Sequence, residues 1–156
     1  MKVGLACDHR GFEGKRRLIS VLKAQGHQVV DYGCPTNSPC DYPDFAIPAA
    51  RAVASGEIEV GVLLDSSGIG MSVCANKVHG VRAAVVLDEV MARVARDANH
   101  CNILCLGTDL LPQDHLVKIV EAFLNTPYSP GRHARRVEKI TQLEEKLQSE
   151  RSPTKA

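Results

Sequence analysis

The sequence predicts an α/β protein: a three-layer α/β/α sandwich on one five-stranded parallel sheet, in the order 2-1-3-4-5, with an extra C-terminal helix. Three observations carry this. Short β-like runs alternate with helix-spaced segments five times, the pattern of parallel strands joined by crossover helices. Runs such as Val60-Gly-Val-Leu-Leu64 are apolar throughout, as strands covered on both faces must be. A chain of 156 residues also suits a single domain with a sizeable core. Every crossover should be right-handed.

The elements follow in order. Val3–Cys7 is the first strand, and the helix Lys15–Ala24 after it carries Leu18, Ile19 and Leu22 and stops at Gly26. Gln28–Tyr32 is the second strand, followed by a loop rich in Pro, Asn, Ser and Cys over Gly33–Asp41. Pro43 suits the first turn of a helix reaching about Ser55. The third strand, Val60–Leu64, leads to a helix over Gly70–Lys77. Val81–Leu87 is the fourth, with Asp88 as N-cap of a helix through Ala98. Asn102–Leu106 is the fifth, and a helix over Gln113–Leu124 closes the unit.

Beyond Pro127 and Pro130 the character changes. Arg132–Gln148 is highly charged, with Val137, Ile140, Leu143 and Leu147 forming a narrow apolar stripe suited to another subunit or to the outer surface of the domain. Residues 1–148 are therefore expected to form one domain whose last helix, 132–148, dimerises the chain, with 149–156 as a frayed tail.

Composition narrows the function. With 19 basic and 18 acidic residues the net charge is +1, so no global field favours nucleic acid or an anionic membrane. No apolar run approaches a membrane span or a secretory signal, and a cytoplasmic protein is expected. The six cysteines contain no C-x-x-C pair, and several lie in apolar runs where a thiol behaves as a small hydrophobe. A zinc site from His100, Cys101 and Cys105 is the weaker reading. Gly68-x-Gly70 lacks the third glycine of a dinucleotide fingerprint, no phosphate-loop motif occurs, and aromatic platforms for bases are scarce.

The chemistry concentrates at two strand ends. Asp65-Ser-Ser-Gly-Ile-Gly70 puts a carboxylate at the end of the third strand, then a Ser/Gly loop and a helix N-terminus. A base beside backbone N–H groups that can hold an anion is what proton abstraction next to a carbonyl requires. The same residues could form a serine-rich turn with Asp65 as a cap. Asp8-His-Arg-Gly11 ends the first strand, and strands one and three are neighbours where the winding reverses, the crevice in which open α/β sheets bind ligands. That convergence favours the functional reading. Gly131-Arg-His-Ala-Arg-Arg136 places cations at a helix start, against the macrodipole, so an anionic ligand would supply a reason for them. Arg132, His133 and Arg136 share one face, suited to a phosphate, and Arg135 faces water. A solvated basic patch is the alternative.

Ala6-Cys-Asp-His-Arg-Gly-Phe12, Asp41-Tyr-Pro43, Gly68-Ile-Gly70, Ala75-Asn-Lys77, Gly80-Val-Arg82 and Gly131-Arg-His133 together resemble the ribose-5-phosphate isomerase B / galactose-6-phosphate isomerase family, over residues 2 to 146. The resemblance implies a Rossmann-like fold, an aldose–ketose isomerase of phosphosugars in carbohydrate metabolism such as the pentose phosphate pathway, no metal or other cofactor, and a homodimer with shared active sites, possibly paired into tetramers. It implies that Asp8 holds sugar hydroxyls, that His9 lies near the phosphate or ring, and that Tyr42 lines the pocket. Backbone N–H groups around Ser67, Gly68 and Gly70 would stabilise the enediolate, Asn99 would reach in from the partner chain, and Arg132, His133 and Arg136 would bind phosphate.

Three positions depart from the family pattern. Where a cysteine base, or in another branch a glutamate farther along the loop, moves the C2 proton, this chain has Asp65 and Met71. The ring-opening histidine falls on Ala98, with His100 two residues later as the candidate in its place. An arginine after the fifth strand falls on Asp109. The expectation is an isomerase with ribose 5-phosphate as default substrate and Asp65 as base. A tetrulose phosphate, which needs no ring opening, or an aldohexose 6-phosphate is the alternative substrate. A catalytically silent phosphosugar-binding protein is the alternative class.

Overall fold

A computed structural model describes residues 1–152. Five parallel strands, β1 (Lys2–Cys7), β2 (Gln28–Asp31), β3 (Val60–Asp65), β4 (Ala83–Val85) and β5 (Ile103–Gly107), form one sheet. The helices are α1 (Phe12–Ala24), α2 (Pro43–Ala54), α3 (Ile69–Ala75), α4 (Glu89–Asp97), α5 (Gln113–Leu124) and α6 (Ala134–Arg151).

The strand order is β2-β1-β3-β5-β4, which corrects the expected 2-1-3-4-5. Burial explains the exchange. β5 is buried at all five positions and so takes an interior place, whereas the three residues of β4 are only half-buried and suit an edge. The β1/β3 neighbourhood that defines the crevice is unaffected, with Cys7 opposite Leu64.

Side-chain alternation divides the core. Val3, Leu5, Cys7, Val62, Leu64, Leu104 and Leu106 point to the face covered by α1, α4 and α5. Ala6, Leu63, Ile103 and Cys105 point to the face covered by α2 and α3. Cys101 and Cys105 thus belong to opposite cores and cannot share a metal ion.

Two asparagines finish strand edges. The Asn76 side chain accepts from Ala83 N–H at 2.8 Å and donates to Ala83 O at 2.9 Å, as a neighbouring strand would. Asn102 does the same for Arg82 N–H and Gly80 O, at 2.8 and 2.9 Å. The Ala75-Asn-Lys77 and Gly80-Val-Arg82 motifs therefore carry structural work.

α6 follows a 3₁₀ turn at Gly131–His133 and runs to Arg151, so residues 149–151 are helical where a tail was expected. Residues 153–156 lie outside the described residues. No residue of α6 is buried: Ile140, Leu143 and Leu147 are 45%, 55% and 42% exposed. Ile140 also lines an open apolar groove of about 620 Å³ with β4 and the α4 residues Val90, Met91 and Val94.

Candidate active site

The C-terminal ends of β1, β3 and β5 meet above the crevice. Asp8 N–H donates to Leu64 O at 3.2 Å, and Thr108 N–H donates to Asp65 O at 2.9 Å. Thr108 Oγ1 lies within hydrogen-bonding distance of both Asp65 O and Arg10 O, at 3.1 and 3.0 Å, so its single O–H is shared between two carbonyls and links the three strand ends. Asp8 is nearly buried and caps the His9–Gly11 turn, its Oδ1 accepting from Arg10 N–H and Gly11 N–H. The turn leads straight into α1, which begins at Phe12, three residues earlier than the apolar spacing indicates.

Asp65 is only 4% exposed. Its Oδ1 accepts from Gly68 N–H and its Oδ2 from Met71 N–H at 3.2 Å, so the loop wraps its own carboxylate in backbone donors. Burial raises the Asp65 pKa above its ordinary value, opposed by the N–H groups of Gly68, Met71 and Ser67, with the nearby Asp8 charge also raising it. Gly68 makes the turn at φ +80°, a conformation that favours glycine. At Gly70 the reason is space: a Cβ would lie 2.9 Å from Tyr42 Cζ and 3.0 Å from Asp65 Oδ2. Tyr42, Gly70 and Asp65 therefore share one confined volume.

His9 faces the loop before α2. Its Nδ1 accepts from Cys40 N–H at 3.3 Å, which requires the tautomer with the proton on Nε2. That loop is anchored from below by Lys15, buried at 1% exposure, whose Nζ donates to Asp31 Oδ1 at 2.7 Å and to Cys34 O at 2.8 Å. Lys15, Thr108 and Arg10 escaped the reading of the sequence. The signals were present: Lys15 shares the helix stripe of Leu18 and Leu22, and Thr108 follows a buried strand as Asp8 and Asp65 do.

One chain brings Asp8, His9, Tyr42, Asp65, Ser67, Gly68 and Gly70 together, and leaves the others apart. Asn99 and His100 precede β5 and so lie at the opposite, N-terminal end of the strands, on the order of 15 Å away along a five-residue strand. His100, at φ +49°, stacks on Tyr128 with centroids 4.1 Å apart, and its carbonyl accepts from Arg82 Nε at 2.9 Å. Burial and the charges of Arg82 and Arg96 lower its pKa, favouring the neutral ring. Ser129 N–H donates to Asp97 O at 3.1 Å, which places the segment leading to Arg132, His133 and Arg136 at that same end of the strands.

A buried carboxylate inside a donor-rich loop, beside a second carboxylate and a tyrosine, is equipped for enolisation chemistry. Comparison with known proteins agrees. The family model described as Ribose/Galactose Isomerase matches residues 3–140. Ribose-5-phosphate isomerase B of Escherichia coli is 37% identical over 145 residues, 93% of this chain and 97% of that one. The Clostridium thermocellum ribose-5-phosphate isomerase B structure superposes with a TM-score of 0.92 at 43% identity, covering 94% of this chain and 99% of that one. The Mycoplasma genitalium ribose-5-phosphate isomerase B structure with bound ribulose-5-phosphate gives a TM-score of 0.89 at 36% identity, covering 92% and 96% of the two chains. With a family model spanning most of its length and relatives of this similarity over nearly their whole chains, the protein belongs to the ribose/galactose isomerase family.

Proposed function

We propose that this chain, a sugar-phosphate isomerase of the aldose–ketose class, interconverts ribose 5-phosphate and ribulose 5-phosphate through a cis-enediol(ate), with Asp65 as the base. The observation that carries the reading is the Asp65 carboxylate held inside its own loop of backbone donors. An ionised Asp65 takes the C2 proton. Its negative charge passes to the substrate oxygen as the C1–C2 double bond forms. The N–H groups of Gly68 and Met71 that held the carboxylate, with those of Ser67 and Gly70 in the same loop, then stand beside the new oxyanion, so charge moves within a single cradle. The O2 proton passes to O1, and as O2 closes to the C2 carbonyl the proton held by Asp65 returns to C1, which gives the ketose. Asp8 and Tyr42 position the sugar hydroxyls, and His9 offers an Nε2–H donor.

The working unit is proposed to be a homodimer. Asn99 and His100, and the segment that leads to Arg132, His133 and Arg136, lie at the far end of the strands from Asp65 of their own chain. The bare stripe of α6 and the groove beside β4 supply an apolar surface for a second copy. In such a dimer Arg132 and Arg136 grip the phosphate, and His100 takes the ring-opening role beside them. A four-carbon ketose phosphate, which cannot close a ring through a free hydroxyl, is the second reading, favoured by Ala98 at the usual histidine position. A panel of phosphorylated pentoses, tetroses and hexoses decides between them. Preferred turnover of ribose 5-phosphate supports the first reading, preferred turnover of a tetrose supports the second, and no turnover of any leaves only a binding protein.

A further inference from the structure

We infer that Arg10 meets the phosphate of the substrate and that Asp109 weakens that contact, making the Arg10–Asp109 pair a specificity element at the mouth of the cleft. The inference rests on the phosphosugar reading above. Three carboxylates, Asp8, Asp65 and Asp109, stand at the ends of β1, β3 and β5, so a phosphate entering here needs a cation. Asp8 and Asp65 are buried and bound to backbone N–H groups. Asp109 instead accepts from Arg10 Nη2 at 2.5 Å, with the two side chains 42% and 54% exposed.

The main chain at both residues is tied to the site. Arg10 N–H donates to Asp8 Oδ1 at 2.9 Å, and Arg10 O accepts from Thr108 Oγ1 at 3.0 Å. Asp109 N–H donates to Ser66 O at 3.1 Å. Among the described residues, Asp109 is the one side chain that the half-exposed Arg10 guanidinium bonds, which leaves most of its five donors available to a ligand. A planar guanidinium carried on an anchored stretch of main chain suits a phosphate. An exposed ion pair adds little to stability, so folding gives it no strong reason to be here. Asp109 competes for the same guanidinium and repels a dianion, so both effects have one sign: the carboxylate lowers phosphate affinity.

The test is calorimetric titration of ribose 5-phosphate, inorganic phosphate and unphosphorylated ribose into the intact protein and into Arg10→Met, Arg10→Lys, Asp109→Asn and Arg10→Met/Asp109→Asn, with circular dichroism confirming the fold of each. Arg10→Met should weaken ribose 5-phosphate binding about tenfold while leaving ribose unchanged, and Arg10→Lys should fall between. Asp109→Asn should tighten it a few-fold, an effect that disappears when Arg10 is also replaced. An unchanged Kd in Arg10→Met, an equal loss for ribose, or weaker binding in Asp109→Asn overturns the inference. Protein that fails to isomerise any phosphosugar yet shows these shifts sinks the isomerase reading alone. Full turnover with a Kd indifferent to Arg10 sinks this one alone.

Discussion

If the active site is assembled from two chains, two inactive variants should make an active mixture. Asp65→Asn disables the β3 end of a site, and Arg132→Ala/Arg136→Ala disables the α6 side. In the proposed two-fold dimer there would be two sites, and each would take Asp65 from one chain and the arginines from the other. Random pairing of equal amounts makes about half of all dimers hybrid. Each hybrid carries one site with both defects and one with neither. The mixture should therefore show about a quarter of wild-type activity, from parents each reduced by about 10²-fold or more. Co-expression with two affinity tags and tandem purification isolates the hybrid, whose activity should rise to about half of wild type. Activity in the hybrid no greater than the mean of its parents would refute the shared site. So would a fully active monomer in sedimentation at assay concentration.

Lys15→Met should lower stability by about 1–3 kcal/mol, because it strands the buried Cys34 carbonyl. It should also raise KM by loosening the loop that leads to Tyr42; an unchanged urea midpoint would contradict the anchor role. Gly70→Ala would push a methyl against Tyr42 and Asp65, so turnover should drop while the thermal unfolding profile stays close to wild type, read by assay and calorimetry on one preparation. Burial raises the Asp65 pKa, and its base form is the ionised one, so kcat/KM should fall as pH drops through that raised value. The stability sign is opposite: the protonated form is favoured by folding, and this contribution is present at low pH and lost as pH rises through the same value. Asp65→Asn should flatten the stability profile, and one that keeps the wild-type slope would assign it to another group.

The sequence made the layers legible because each apolar run is bounded by turn and cap residues. Val60–Leu64 and the helix at Gln113–Leu124 need nothing beyond local pattern. Strand order is another matter. Whether β4 or β5 neighbours β3 depends on burial that only the assembled sheet provides, and Val81–Leu87 looked longer than the three residues that pair. Asp8, Asp65 and the 67–70 loop were readable as a site because polar residues interrupt buried strands at their ends. That Asn99 and His100 sit at the far end of the strands follows from the path of the chain through α4 and β5, and spacing does not show it. The donors around Asp65 carry the largest lesson. A helix cap and a catalytic base look alike in sequence, and in this fold the same carboxylate can be both, since its donors also suit the oxyanion it would create.

Hydrogen exchange at C2 of the substrate tests that double role most directly. With ribose 5-phosphate in deuterated water, the wild-type protein should place deuterium on the exchanging carbon, seen by proton NMR as loss of the C2 signal. Asp65→Asn should bind the sugar with similar affinity and exchange at least about 10²-fold more slowly, and Asp65→Cys should regain part of the rate. Deuterium incorporation at the wild-type rate in Asp65→Asn would contradict the account and leave Asp65 as a cap alone.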